Sequence, residues 1–289
     1  MSHEPRAGRL VAWGNALLAG ATSPDEAVAA ITGGDEPHRV VVDESVTGRE
    51  WPGGSAREEG PMALSIALGR LRAAGVTGLM LALPSPGHPL GLTGPPEFNR
   101  RALEAGQAVL AVGGPAVGLV PEVTVHGPGA AGAEGAFAAS GTAAVPAGPD
   151  RAVRVLWRLL PVRPGFPASV PSLREAQRRI NGALHEATER LGALDVASVG
   201  GAAEAVAELR DAFRGVSGAP GYPPEAVRLL ELSLRLEATA ELALRVESAA
   251  VNAAEAAERE RILLPLRSIA REGQVAAYNA PVEERARRG

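Results

Sequence analysis

Apolar positions over the first 165 residues fall into short continuous runs separated by longer segments with a helical period. Residues 38–43, 76–83 and 107–112 are apolar runs of strand length. Between them, residues 61–74 and 97–105 carry apolar side chains at three- and four-residue spacing, which predicts helices. The order β-α-β-α-β is that of a mainly parallel sheet with right-handed crossovers. Two short helices precede it. One is centred on Leu10, Val11, Trp13, Leu17 and Leu18; the other opens at Ser23-Pro24-Asp25-Glu26, an N-cap followed by proline and two first-turn acids. Residues 117–125 read as a further strand, at a sheet edge because Pro121 has no N–H for a ladder. Residues 151–162 fit a strand or a helix. The alternation of Val153, Val155, Trp157 and Leu159 with Arg154 and Arg158 favours the strand.

The pattern changes near residue 170. Strand-length runs give way to long Ala/Leu/Glu/Arg segments with apolar stripes at Leu173, Ala176, Ile180, Leu184, Ala187 and Leu191, and again at Val206, Leu209 and Phe213. A third stripe runs from about residue 224 to 257 on Leu229, Leu232, Leu236, Ala243 and Val246, with Leu230, Leu234 and Ala238 displaced round the axis. Pro265 then demands a kink or a new helix. The predicted architecture is an α/β domain over residues 1–165, an α-helical bundle or arm over 170–280, and a disordered tail over 281–289. If the fold of one chain leaves Leu230 and Leu234 exposed, the 224–257 helix becomes a surface for a homodimer or a partner protein.

Composition narrows the chemistry. Of 289 residues none is Cys, and all 29 basic residues are Arg. A thiol nucleophile, a disulfide, a thiolate zinc site and an iron–sulfur cluster are thereby excluded. So are a Schiff-base lysine, a pyridoxal phosphate anchor and a P-loop. Net charge is −4, mean hydropathy is +0.03, and arginines alternate with acids, as in Arg100, Arg101 and Glu104. No basic stripe suited to nucleic acid emerges. No apolar run reaches the roughly 20 residues of a membrane span, and the first ten residues have no apolar leader core, so a soluble cytoplasmic protein is expected.

In the predicted sheet the connections at 43–60 and 84–99 both leave the carboxyl ends of strands, where open α/β sheets bind ligands. Asp43, Arg49 and Arg57 from the first and Ser85, His88 and Asn99 from the second are the candidate ligand-binding residues. The arginines suit a carboxylate or phosphate, and His88 a base. The competing reading is that the prolines and glycines stiffen a connection, with the arginines paired to Glu50, Glu58 and Glu59. Gly127-Pro128-Gly129-Ala130-Ala131-Gly132 matches a dinucleotide fingerprint in letters only, because Gly and Ala continue to Gly141 where a helix should start. His185-Glu186 lacks the second histidine of a zinc-protease helix, and Asp35, Glu36, His38 and His126 have no ligand spacing. No cofactor, no metal and no catalytic residue is assigned.

The stretches RLVAWGNALLAG, SPDEAVAAI, GGDEPHRVV, PSPGHPLGLTGPPEFNRRALEAGQAVL, GLVPEV and LLPLRSIAREGQVAAYNA resemble a family of uncharacterised actinobacterial proteins of about this length. The resemblance implies no activity and no site residue. It places an acid where this chain has His88, against a histidine base. Two functions remain: a non-catalytic protein with a helical self-association or partner-binding region, and an enzyme or sensor of a small anionic ligand.

Overall fold

The computed structural model describes residues 4–46, 51, 60–92, 94–127, 152–164, 170–193, 218–245 and 253–288. The chain divides into two units. Glu4–Ser169, Ala219–Gly221 and Pro281–Gly289 form the sheet unit; Met1–His3, Val170–Gly218 and Tyr222–Ala280 form the helical unit.

The sheet unit runs α1 (Arg6–Leu18), α2 (Pro24–Thr32), β1 (Arg39–Val42), β2 (Met62–Ala63), α3 (Leu64–Ala73), β3 (Gly78–Ala82), α4 (Pro96–Ala105), β4 (Ala108–Val112), β5 (Val117–His126) and β6 (Ala152–Pro161). The described strands make a six-stranded sheet in the order β2-β1-β6-β5-β4-β3. Only β1 and β6 are parallel; the other four pairings are antiparallel. The expected mainly parallel sheet is therefore corrected to a mixed, mostly antiparallel one, and β1 and β3 run in opposite senses.

The reason lies in the connections, each of which brings the chain back along the sheet before its helix begins. After β1 the chain comes back as β2, antiparallel to it, before α3 begins. After β3 it reverses at Ser85–His88, Leu83 N–H donates to the Leu90 carbonyl, and Gly91 closes on Ala82. By Gly94 it is beside Arg163, past the end of β6, so α4 must travel back. An even number of passes returns the chain to the end it left, which gives antiparallel neighbours; a single helical pass would have given parallel ones.

The strand at 117–126 is interior rather than at an edge, yet the proline argument survives locally. β4 pairs with β5 at Gly118 and Leu119, and Pro121 lies beyond that ladder. Residues 152–161 are a strand, in register with the whole of β5.

α1 covers one face near β3, with Gly14 against Leu79 and Leu68. On the other face α4 sets Phe98 and Ala102 on Met80, Leu110, Val120 and Leu160, with Val282 in the same cluster. Gly118 makes this possible, since a Cβ there would stand 2.6 Å from the Phe98 ring. The free edge of β3 is closed by one side chain. Asn15 Nδ2 donates to the Leu79 carbonyl at 2.9 Å and Asn15 Oδ1 accepts the Leu79 N–H at 2.8 Å, a side-chain imitation of a neighbouring strand. Asn15→Ala leaves both backbone groups without partners in a buried setting. We expect a loss of about 2–3 kcal/mol in urea unfolding and greater aggregation on heating; an unchanged midpoint would show that water replaces the amide.

The helical unit contains α5 (Leu173–Ala193), α6 (Pro224–Arg245) and α7 (Ala253–Arg288) up to Ala280. The stripe expected at 206–213 lies outside the described residues. On α6 the buried positions are Ala226, Leu229, Leu230, Ser233, Leu234, Glu237, Ala238 and Ala240. Leu230 and Leu234 are thus buried within one chain, and the condition set for a homodimer through them is not met. α7 is continuous across Pro265 and Pro281, and the residues expected as a disordered tail are helical to Arg288.

Candidate functional site

Half of the α4 face of the sheet carries charge where the other half carries core. Alternation on β6 sends Arg154, Leu156, Arg158 and Leu160 to this face, and register adds Arg39 and Val41 from β1 and Glu122 and Thr124 from β5. Leu160 lies under α4, whereas Arg39, Arg154 and Thr124 are exposed and Val41, Leu156, Arg158 and Glu122 are half-buried. Burial stops where α4 ends its cover.

At this border two guanidinium groups from different elements meet one carboxylate. Arg158 Nε donates to Glu122 Oε1 at 2.6 Å and Arg158 Nη2 to Glu122 Oε2 at 3.1 Å, a two-pronged pairing. Arg101 on α4 donates from Nη1 to the same Oε1 at 3.4 Å and from Nε to Glu97 at 2.7 Å. Asp43, just past β1, stands 3.7 Å from the free side of Arg158. Its Oδ1 accepts both the amide and the hydroxyl of Ser45. Burial alone would raise the Asp43 carboxyl, but Ser45 and then Arg101 and Arg158 hold it below the ordinary carboxylate range. The bond to Glu122, against the cost of burial, holds Arg158 above the ordinary arginine value. Asp43 and Arg158 are both held in their charged forms, so neither offers a proton to move near neutral pH.

The sequence-derived residues do not converge. Asp43 belongs to the cluster. Ser85 and His88 bond each other's backbone in the turn after β3, at the opposite end of the sheet from Asp43, because β1 and β3 run in opposite senses. Asn99 accepts the Gly94 N–H at 2.9 Å and so ties the turn that starts α4. Arg49 and Arg57 lie outside the described residues, as does the glycine-rich stretch from residue 128. Arg101, Glu122 and Arg158 were missed. Their signal was the charge alternating with Val and Trp on β6, set opposite an acid on β5.

Two other polar clusters are packed away. Asp35 accepts Arg6 Nε at 2.7 Å, Arg9 Nη2 at 3.1 Å and His38 Nε2 at 3.2 Å. The Trp157 indole donates to His38 Nδ1 at 3.3 Å, closing a link between α1, the turn before β1, and β6. In the helical unit, Glu237 is buried between Arg271, 3.5 Å away, and Gln274, whose amide donates to it. Gly273 seals the region: a Cβ there would meet Ile180 Cδ1 at 2.6 Å. Among the described residues no group of three or more His, Cys, Asp or Glu side chains is placed to hold a metal ion. No described helix is long and apolar enough to cross a membrane.

Comparison with known proteins agrees on family and is silent on chemistry. The uncharacterized protein Rv1486c of Mycobacterium tuberculosis H37Rv is 27% identical over 93% of this chain and 94% of its own length. The uncharacterized protein MT1533 of the CDC 1551 strain matches to the same extent. No solved structure matches. Residues 7–172 match the Rv1486c-like protein, N-terminal domain, and residues 174–275 the Rv1486c-like protein, C-terminal domain, so the chain belongs to the Rv1486c-like family, whose relatives here are actinobacterial.

Proposed function

We propose that this protein is a non-catalytic binding protein whose sheet unit recognises a small anionic ligand through Arg101 and Arg158. One observation carries the reading: guanidinium groups from α4 and β6 converge on a single carboxylate at the border of the sheet face that α4 leaves uncovered. A planar fork of donors is the arrangement that binds carboxylates and phosphates. Of the sequence-based site, Asp43 stays in use beside Arg158, while Ser85, His88 and Asn99 serve turns elsewhere. Held in their charged forms, Asp43 and Arg158 fit recognition better than acid–base catalysis.

A thermal-shift screen of organic acids and phosphorylated metabolites tests the proposal. One class of anion should raise the melting temperature of the wild-type chain. The response should vanish in Arg101→Gln/Arg158→Gln, checked for folding by circular dichroism, and the ligand should be recovered chemically unchanged. A shift that survives in the double variant, or no shift with any anion, overturns the reading. Turnover of the ligand overturns its non-catalytic part.

A further inference from the structure

We infer that the ligand group taken by this site is a monocarboxylate on an apolar body, and that Glu122 is its internal competitor, occupying the arginine fork until the ligand displaces it. The inference rests on the binding role just proposed and says which anion is bound and how access is controlled. Glu122 already has the geometry of a bound ligand. Both its oxygens are engaged by Arg158 and one also by Arg101, as an external carboxylate would be.

It is also the member of the trio best placed to leave. Its side chain is 40% exposed, against 25% for Arg158 and 28% for Arg101, the most open to solvent of the three. Rotated outward it is rehydrated, while the arginines stay where their other partners hold them: Glu97 for Arg101 and Asp43 for Arg158.

Charge selects the class. Departure of Glu122 removes one negative charge, and Asp43 and Glu97 remain beside the vacated donors. A monoanion restores the balance, whereas a phosphate dianion adds a second charge next to Asp43. The floor completes the match. Leu156 stands directly across the ladder from Glu122, and Val41 across from Arg158, both half-buried on this face, so an apolar body attached to the carboxylate has surface to cover.

Calorimetric titrations with butyrate, and with inorganic phosphate for comparison, test this on wild type, Glu122→Gln and Glu122→Gln/Arg158→Gln, with Glu122→Ala as a second way to remove the carboxylate. A partly exposed internal ion pair competes weakly, so its removal should tighten butyrate binding about fivefold to tenfold in both single variants. Binding should be lost when Arg158 is also replaced, and phosphate should bind more weakly than butyrate throughout. Equal butyrate affinity in wild type and both single variants overturns the competitor role while leaving the binding function standing. Tighter phosphate than butyrate overturns the ligand class. No binding of either anion by any variant overturns the inference and, with a blank anion screen, the function beneath it.

Discussion

Glu237→Leu should destabilise the helical unit by about 3–5 kcal/mol, the usual cost of removing one partner from a buried ion pair. Glu237 lies in the buried stripe of α6 between Ser233 and Ala238, with 5% of its surface exposed, and Arg271 on α7 shows 8%. Burial pushes the Glu237 carboxyl up and the Arg271 guanidinium down, the response of two charges that the surroundings solvate poorly. Taking away the carboxylate leaves a buried guanidinium without that counter-charge, and Gln274 Nε2 without its acceptor. Glu237→Leu/Arg271→Leu should recover most of the loss, because two apolar side chains of similar bulk remove both desolvation penalties at once. Hydrogen exchange of the α6 amides in the full chain, read beside urea unfolding, assigns the change to the helical unit. A single variant costing less than about 1 kcal/mol would show that Arg271 reaches water, and the double variant would then have nothing to recover.

That pair shows where pattern reading succeeds and where it stops. Glu237 occupies a position set by the same spacing as Leu230 and Leu234, which are buried together with Leu229 of the other register, while Leu236 and Ala243 pack against Ala187, Ile262, Leu263 and Leu266. An acid inside an apolar stripe looks like an exposed residue unless the facing helix is known. The elements themselves were legible: both opening helices, the strands at 39–42, 78–82 and 108–112, and the alternating strand at 152–161 lie where period and caps put them. Strand direction was not. It depends on how many times the chain crosses the sheet between strands, and the returns, by β2 and by the turn after His88, are too short to carry a period. The candidate site inherited that error, because a shared edge for Asp43 and His88 holds only if β1 and β3 are parallel. Arg101, Glu122 and Arg158 come from three elements separated by 21 and 36 residues, and nothing local joins them.

The sheet unit should lose stability with acid in two steps, the first from His38 and the second led by Asp35. Trp157 can only donate, so His38 Nδ1 must accept and the imidazole is neutral, with its proton on Nε2 toward Asp35. Burial lowers the His38 pKa, outweighing the opposing effect of Asp35. A depressed histidine means that the unfolded chain takes up the proton first. The stability it contributes is complete above the unfolded value of about 6.5 and declines as pH falls below it. For Asp35, burial acts upward, but the bonds from His38 and Arg6 and the charges of Arg6 and Arg9 hold it far below the ordinary range. Its contribution is present above the unfolded value of about 3.9 and is lost as pH falls further. Urea midpoints measured from about pH 7.5 down to 3 should therefore fall first below about 6.5 and more steeply below about 4. His38→Gln should flatten the first step. Asp35→Asn should shrink the second, leaving the part contributed by Asp43, and cost about 3 kcal/mol at neutral pH, since Arg6 and Arg9, 14% and 12% exposed, lose their shared counter-charge. A wild-type midpoint that stays level from pH 7.5 to 5 would show that His38 protonates in place, breaking the bond from Trp157 without cost to the fold.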